Sequence, residues 1–137
     1  MKIVLDTNVL IAAFIAHGTC AEVLEHCMTQ HVVVLSQPIL AEFREVLVHK
    51  CGFALAEAKS AARLLKSRAS IVKASPLAKA VCRDSDDDSI LATAVSGGCQ
   101  AILSGDKDLT DLQEYHGIRI LKPAEFWRFE GEMEKRE

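Results

Sequence analysis

Three short apolar runs constrain this chain more than any other feature: Ile3-Val4-Leu5, Val32-Val33-Val34-Leu35 and Ala101-Ile102-Leu103. None of them alternates apolar with polar residues. A strand with one wet face must alternate, so these runs predict strands buried on both faces. Ile118-Arg119-Ile120-Leu121 admits one polar residue, and Ile71-Val72 is a weaker candidate. Between the runs lie stretches with helical patterning, roughly 8–15, 19–30, 37–50, 54–68, 87–97 and 123–129. Strands alternating with helices predict parallel βαβ units with right-handed crossovers. The expected fold is α/β, a three-layer α/β/α sandwich around a central parallel sheet.

The helix beginning at Gln37 is the best signalled. Ser36 is placed to cap it, and Pro38 falls in the first turn, where a missing N–H costs nothing. Ile39, Leu40, Phe43, Val46 and Leu47 share one face at 100° per residue. Ala54 to Lys66 predicts a second, more exposed helix beside it. No repeat and no Pro/Gly/Ser tract divides the 137 residues. One domain is therefore expected over residues 1–130, with 131–137 a charged tail that frays. Half the residues are apolar, which excludes a disordered or fibrous chain.

Several functional classes are disfavoured. The net charge is −3, whereas a protein that holds duplex DNA by neutralising phosphates is basic. Aromatics make up only 5%, too few to read single strands mainly by stacking. Neither G-x-x-x-x-G-K nor G-x-G-x-x-G nor G-x-S-x-G occurs. The apolar opening breaks at Asp6, and Val9 to Ala16 is too short to span a bilayer, so a cytoplasmic protein without membrane association is expected. Cys20, Cys27, Cys51, Cys82 and Cys99 are odd in number and lack C-x-x-C spacing, which predicts reduced thiols. His17, His26, His31, His49 and His116 lack H-x-x-x-H spacing and are expected at the surface.

The acidic residues are more informative. Ligand sites of open α/β sheets lie outside the carboxyl ends of the strands. Asp6 directly follows the first run, and Asp106 and Asp108 follow Ala101-Ile102-Leu103 after the turn Ser104-Gly105. Helices run antiparallel to their strands, so the helix starts carrying Glu42 and Asp87 face the same edge. With Asp87 set at 0°, the apolar residues Ile90, Leu91, Ala94 and Val95 scatter around it, while Asp88 swings about 100° away. Asp87 is thus expected inward and Asp88 toward solvent. Glu42 falls at the margin of the apolar face, with Glu45 opposite. An Asp after a strand is by itself a common turn former or cap. Four acids converging from four segments are harder to explain that way, with no Lys, Arg or His obviously placed to neutralise them. Two unit charges about 4 Å apart repel by roughly 4 kcal/mol at an effective dielectric of about 20. Such a cluster raises its pKa values or binds a cation, and all-oxygen ligands select Mg²⁺ or Mn²⁺.

The segments Val4-Leu5-Asp6-Thr7-Asn8-Val9-Leu10-Ile11, Leu35-Ser36 followed by Glu42, Arg83-Asp84-Ser85-Asp86-Asp87-Asp88, and Leu103-Ser104-Gly105-Asp106-Lys107-Asp108-Leu109 occur in order along the chain. Together they resemble the PIN-domain ribonucleases, in particular the VapC-like toxins of toxin–antitoxin pairs. The resemblance covers residues 3 to about 127. It implies a flavodoxin-like parallel sheet and a metal-dependent endoribonuclease whose site is Asp6, Glu42, Asp87 and Asp106. Thr7, Asn8 and Ser104 match supporting positions, and Asp108 stands beside them. A cognate antitoxin and a homodimer are implied as well. Ser85 departs from the Pro that many relatives have there, without touching a ligand position.

Two rivals are weaker. A haloacid-dehalogenase-like phosphatase needs a second Asp two residues after the first, and that place holds Asn8. A non-catalytic RNA- or protein-binding module of the same fold would not need all four acids. An RNA substrate is a polyanion, so a basic rim is expected around the acidic cleft. Its candidates are Lys107, Arg83, Arg44 and Lys50.

Overall fold

The computed structural model of the chain describes residues 1–136. Six strands form one sheet: β1 (Lys2–Leu5), β2 (Val32–Leu35), β3 (Ser70–Ile71), β4 (Ala101–Leu103), β5 (Glu114–Tyr115) and β6 (Ile118–Leu121). Their order is β3-β2-β1-β4-β6-β5, parallel except for β5, which pairs antiparallel with β6. Seven α-helices join them: α1 (Thr7–Ile15), α2 (Thr19–Gln30), α3 (Gln37–His49), α4 (Leu55–Arg68), α5 (Ser85–Ser96), α6 (Lys107–Thr110) and α7 (Phe126–Arg136).

Every residue of Ile3-Val4-Leu5 and Ala101-Ile102-Leu103 is fully buried. Consecutive strand residues point to opposite faces, so both faces of the sheet are covered and the fold is the expected α/β sandwich. From β1 the chain builds outward to β2 and β3, then crosses back to place β4 on the other side of β1. In open α/β sheets such a reversal marks where ligands bind, here at the carboxyl ends of β1 and β4. The register aligns Leu5 with Leu103, so Asp6 and Ser104 leave adjacent strands side by side.

Several expectations need correction. Residues 131–136 are not a loose tail but the end of α7, which runs to Arg136 and buries Phe126 and Phe129. Phe126, Phe129 and Met133 form a stripe at helical spacing on this otherwise charged segment. Ser36 precedes α3 but makes no capping bond; its hydroxyl pairs with Thr93 at 2.8 Å. The weak strand sits one residue earlier than expected, at Ser70–Ile71. The β5–β6 hairpin was not foreseen; its turn places Gly117 at φ +80°. Gly97 ends α5 against β2, where a Cβ would lie 2.7 Å from Val34 Cγ1.

All five cysteines are free thiols. Burial holds Cys27 up at about 12, and Cys99 and Cys82 at about 11, far from thiolate chemistry at neutral pH. Among the described residues, no single helix is long and apolar enough to cross a membrane.

Candidate active site

Asp6 is the residue at which β1 becomes α1. Its backbone still follows the ladder, donating to Leu103 O at 3.0 Å. Its side chain turns to cap α1, accepting from Val9 N at 2.9 Å. The buried Ser104 hydroxyl donates to the second carboxylate oxygen of Asp6. Ser104 Oγ in turn accepts from Asp106 N at 2.9 Å, so one hydroxyl ties the ends of β1 and β4 together. Burial raises the Asp6 pKa, and the nearby Asp106 adds to the rise against these hydrogen bonds.

Asp106 caps α6 by accepting from Asp108 N at 2.9 Å. Asp87 enters from α5, and the helical-wheel expectation holds in that it is buried. Ligand oxygens of Asp87, Asp106 and Asp108 all lie within 4.8 Å of one another. Asp87 Oδ2 is buried without a hydrogen-bond partner. Two carboxylates facing each other have no hydrogen to share until one takes a proton. Burial, followed by the Asp106 charge, accordingly pushes Asp87 up to about 7.

Glu42 stands at the side of this group. It is half-buried, and its Oε2 accepts from the Thr7 hydroxyl at 3.1 Å. Burial raises its pKa, helped by the charges of Asp86, Asp84 and Asp6. The structure thus gathers Asp87, Asp106 and Asp108 most tightly. Asp6 joins them through Ser104, and Glu42 reaches them through Thr7. Asp108, assigned only a supporting place from the sequence, is inside the cluster. Its spacing of two from Asp106 carries no face information in a helix as short as α6. Asn8 is exposed, and its backbone N–H faces the Asp6 carboxylate.

Asp88 does not point to solvent. It accepts from Cys82 N at 2.8 Å and Val81 N at 3.1 Å, pinning the loop before α5. Asp84 caps that helix by accepting from Asp86 N at 2.9 Å.

The basic residues separate. Arg83 donates to Asp108 at 2.8 Å, so the acids are not entirely without a cation. Lys107 is exposed beside them. Arg44 lines a shallow groove between α3 and α4 with Lys59, Arg63 and Lys66. Lys50 does not belong to this edge. It follows the last residue of α3, eight residues or about 12 Å along the helix from Glu42.

Carboxylates crowded where a mostly parallel sheet reverses its strand order define a class: α/β domains with an acidic site at the strand ends. The PIN domain family profile matches residues 2–108, and the chain belongs to that family. Its fold is shared with VapBC2 from Rickettsia felis, solved bound to a promoter DNA fragment, at 17% identity and TM-score 0.64 over 89% of this chain and 98% of that one. VapBC-1 from nontypeable Haemophilus influenzae aligns at 14% identity and TM-score 0.65, over 90% and 99%. Mycobacterium tuberculosis VapC20, described as a toxin that cleaves the sarcin–ricin loop, aligns at 18% and 0.60, over 85% and 98%. At these identities the likeness is one of fold. No curated protein matches by sequence.

Proposed function

We propose that this protein is a divalent-metal-dependent endoribonuclease, the cytoplasmic toxin of a toxin–antitoxin pair. The observation that carries the reading is the Asp87–Asp106–Asp108 cluster, with one buried oxygen left unpartnered. A buried acceptor without a donor costs about 1–3 kcal/mol, more when charged. A hard cation removes that cost, and these all-oxygen donors suit Mg²⁺ or Mn²⁺. Asp87, Asp106 and Asp108 would hold the ion, with Asp6 at its border. When bound, such an ion polarises a phosphoryl oxygen and makes water a nucleophile near neutral pH.

The chain's own groups supply the rest. Ser104 fixes the Asp6 carboxylate in one orientation. Glu42, raised by burial and by the charges of Asp86, Asp84 and Asp6 and oriented by the Thr7 hydroxyl it accepts from, is placed at the side of the acids to exchange a proton with the reacting group. Lys107, Arg83 and Arg44 form the rim that meets the RNA phosphates. The family and the VapBC-like fold support the toxin reading. An apolar groove of about 280 Å³ between α1, α2 and α4, lined by Phe14, Leu24, Met28, Leu64 and Leu65, offers cover for a protein partner such as an antitoxin. A homodimer completes the proposal.

The test is cleavage of a defined RNA by purified protein. Mg²⁺ or Mn²⁺ is expected to support cutting and a chelator to abolish it. Asp106→Asn is expected to lose more than about 100-fold, since even outer partners of metal ligands cost 10–100-fold. Undiminished cutting by a folded Asp106→Asn protein overturns the reading.

A further inference from the structure

A second cluster of metal-ligating groups lies away from the acidic edge. His26 is on α2, His31 follows that helix, and Glu130 is on α7. His26 Nε2 and His31 Nε2 each lie 2.5 Å from the same oxygen of Glu130, Oε2. Both contacts are hydrogen bonds, and they bring two ring nitrogens and one carboxylate oxygen to a single point. The side chains of His31 and Glu130 are 11% and 14% exposed, while that of His26 is 29% exposed and leaves the point reachable from solvent. This geometry overturns the expectation that these two histidines are surface groups.

The rings are also held from outside. His31 packs edge-on against Phe126 at 5.7 Å between centroids, and His26 against Trp127 at 4.8 Å. Each imidazole therefore has its plane fixed with Nε2 aimed at Glu130. Ligands held in place by packing lose little freedom when they bind.

We propose that His26, His31 and Glu130 form a binding site for a first-row transition ion, Zn²⁺ foremost. Two imidazole nitrogens with one carboxylate oxygen suit zinc and its neighbours and disfavour Mg²⁺ or Ca²⁺. Three protein ligands leave a fourth position open on the exposed side of His26. Zinc bonds to nitrogen and oxygen of about 2.0–2.2 Å set neighbouring ligands roughly 3.3 Å apart on a tetrahedron. Glu130 must therefore draw back by about 0.8 Å, within reach of a side-chain adjustment. Binding through Nε2 moves each ring proton to Nδ1. At His31 this displaces the contact with the Met1 amino nitrogen 3.1 Å away, a cost the ion must outweigh. The bound ion would clamp α7 onto α2, joining segments about 100 residues apart in sequence. The site is independent of the acidic edge and of the reading given to it.

Zn²⁺ titration of the full chain in excess Mg²⁺ tests the proposal. One Zn²⁺ per chain is expected, retained in Asp106→Asn and weakened at least tenfold in both His26→Gln and Glu130→Gln. The second variant covers failure of the first to fold. Co²⁺ in place of Zn²⁺ is expected to give a visible spectrum without a thiolate charge-transfer band. The proposal is overturned if no Zn²⁺ binds, if binding disappears in Asp106→Asn, if both ligand variants bind like the parent protein, or if the thiolate band places the ion on cysteine.

Discussion

Two carboxylates in this molecule sit in shielded places and meet opposite fates. Asp87 faces Asp106 and Asp108 and has a buried oxygen with no donor, so its pKa climbs. Glu130 faces two imidazoles that converge on one oxygen. Burial alone would raise it, but hydrogen bonds from His31 and His26 outweigh that and leave it below the usual carboxylate range. Burial is common to both; what differs is the company. A carboxylate surrounded by its own kind stores electrostatic strain, whereas one met by donors helps hold the fold. Strain kept at one edge of a sheet is what a cation-binding site requires in advance of its ion.

The largest expected break in this comparison is in activity. Asp87→Asn removes a proposed ligand, and RNA cleavage is expected to fall by more than about 100-fold. Glu130→Gln, assayed beside it on the same RNA in Mg²⁺, is expected to stay within about threefold of the parent. Equal losses would mean that the two regions are not functionally separate.

Stability is expected to move in opposite directions. Between about pH 4 and pH 7 the native state holds a proton at the Asp87 pair that the unfolded chain has released, so stability falls as pH rises through that window. Asp87→Asn removes that penalty. Without added divalent ions its melting temperature is expected to exceed the parent's by roughly 3 °C or more at pH 8, for about 1 kcal/mol of relieved repulsion. The gain is expected to vanish near pH 4. Glu130, held below its ordinary value, contributes stability above the usual carboxylate range and loses it as pH falls through its own lowered pKa. Glu130→Ala is expected to lower stability by about 1.5–3 kcal/mol at pH 7 and by less in acid. Thermal melts at the two pH values compare the signs directly.

The smallest effect sharpens the same point at adjacent positions. Asp88 neighbours Asp87 in sequence, but two backbone N–H groups satisfy it. Asp88→Ala is expected to cost about 1 kcal/mol of stability. Asp88→Asn, which keeps one acceptor oxygen, is expected to cost less, and neither is expected to stabilise the protein as Asp87→Asn does. Chemical denaturation resolves the ranking.

Much of the acidic edge was legible in the sequence because it depends on two periodicities. Unbroken apolar runs marked β1, β2 and β4 and hence the strand ends where Asp6 and Asp106 emerge. The 100° step along α5 turned Asp87 inward and Asp88 away. Periodicity fails where elements are short or partners distant. The four-residue α6 could not show that Asp108 joins the cluster, and the two-residue β5 gave no pattern. Nothing local to α2 indicates that His26 and His31 meet Glu130 roughly a hundred positions later. The stripe Phe126, Phe129 and Met133 did signal a longer α7, but the surrounding charges masked it. The 100° step gave Asp88 a direction without showing that the backbone of Val81 and Cys82 waits there.

The outer strands of the sheet, β3 and β5, are only two residues long. Exposed sheet margins tempt other chains to add strands, which is how ordered aggregates begin. Here each margin offers almost no ladder to copy, while the four-residue β1 and the three-residue β4 lie inside the sheet. Self-association by strand addition is thereby discouraged at both ends. Any lasting partner, whether a second copy or another protein, must grip helices and side chains, where shape and charge can discriminate between right and wrong companions.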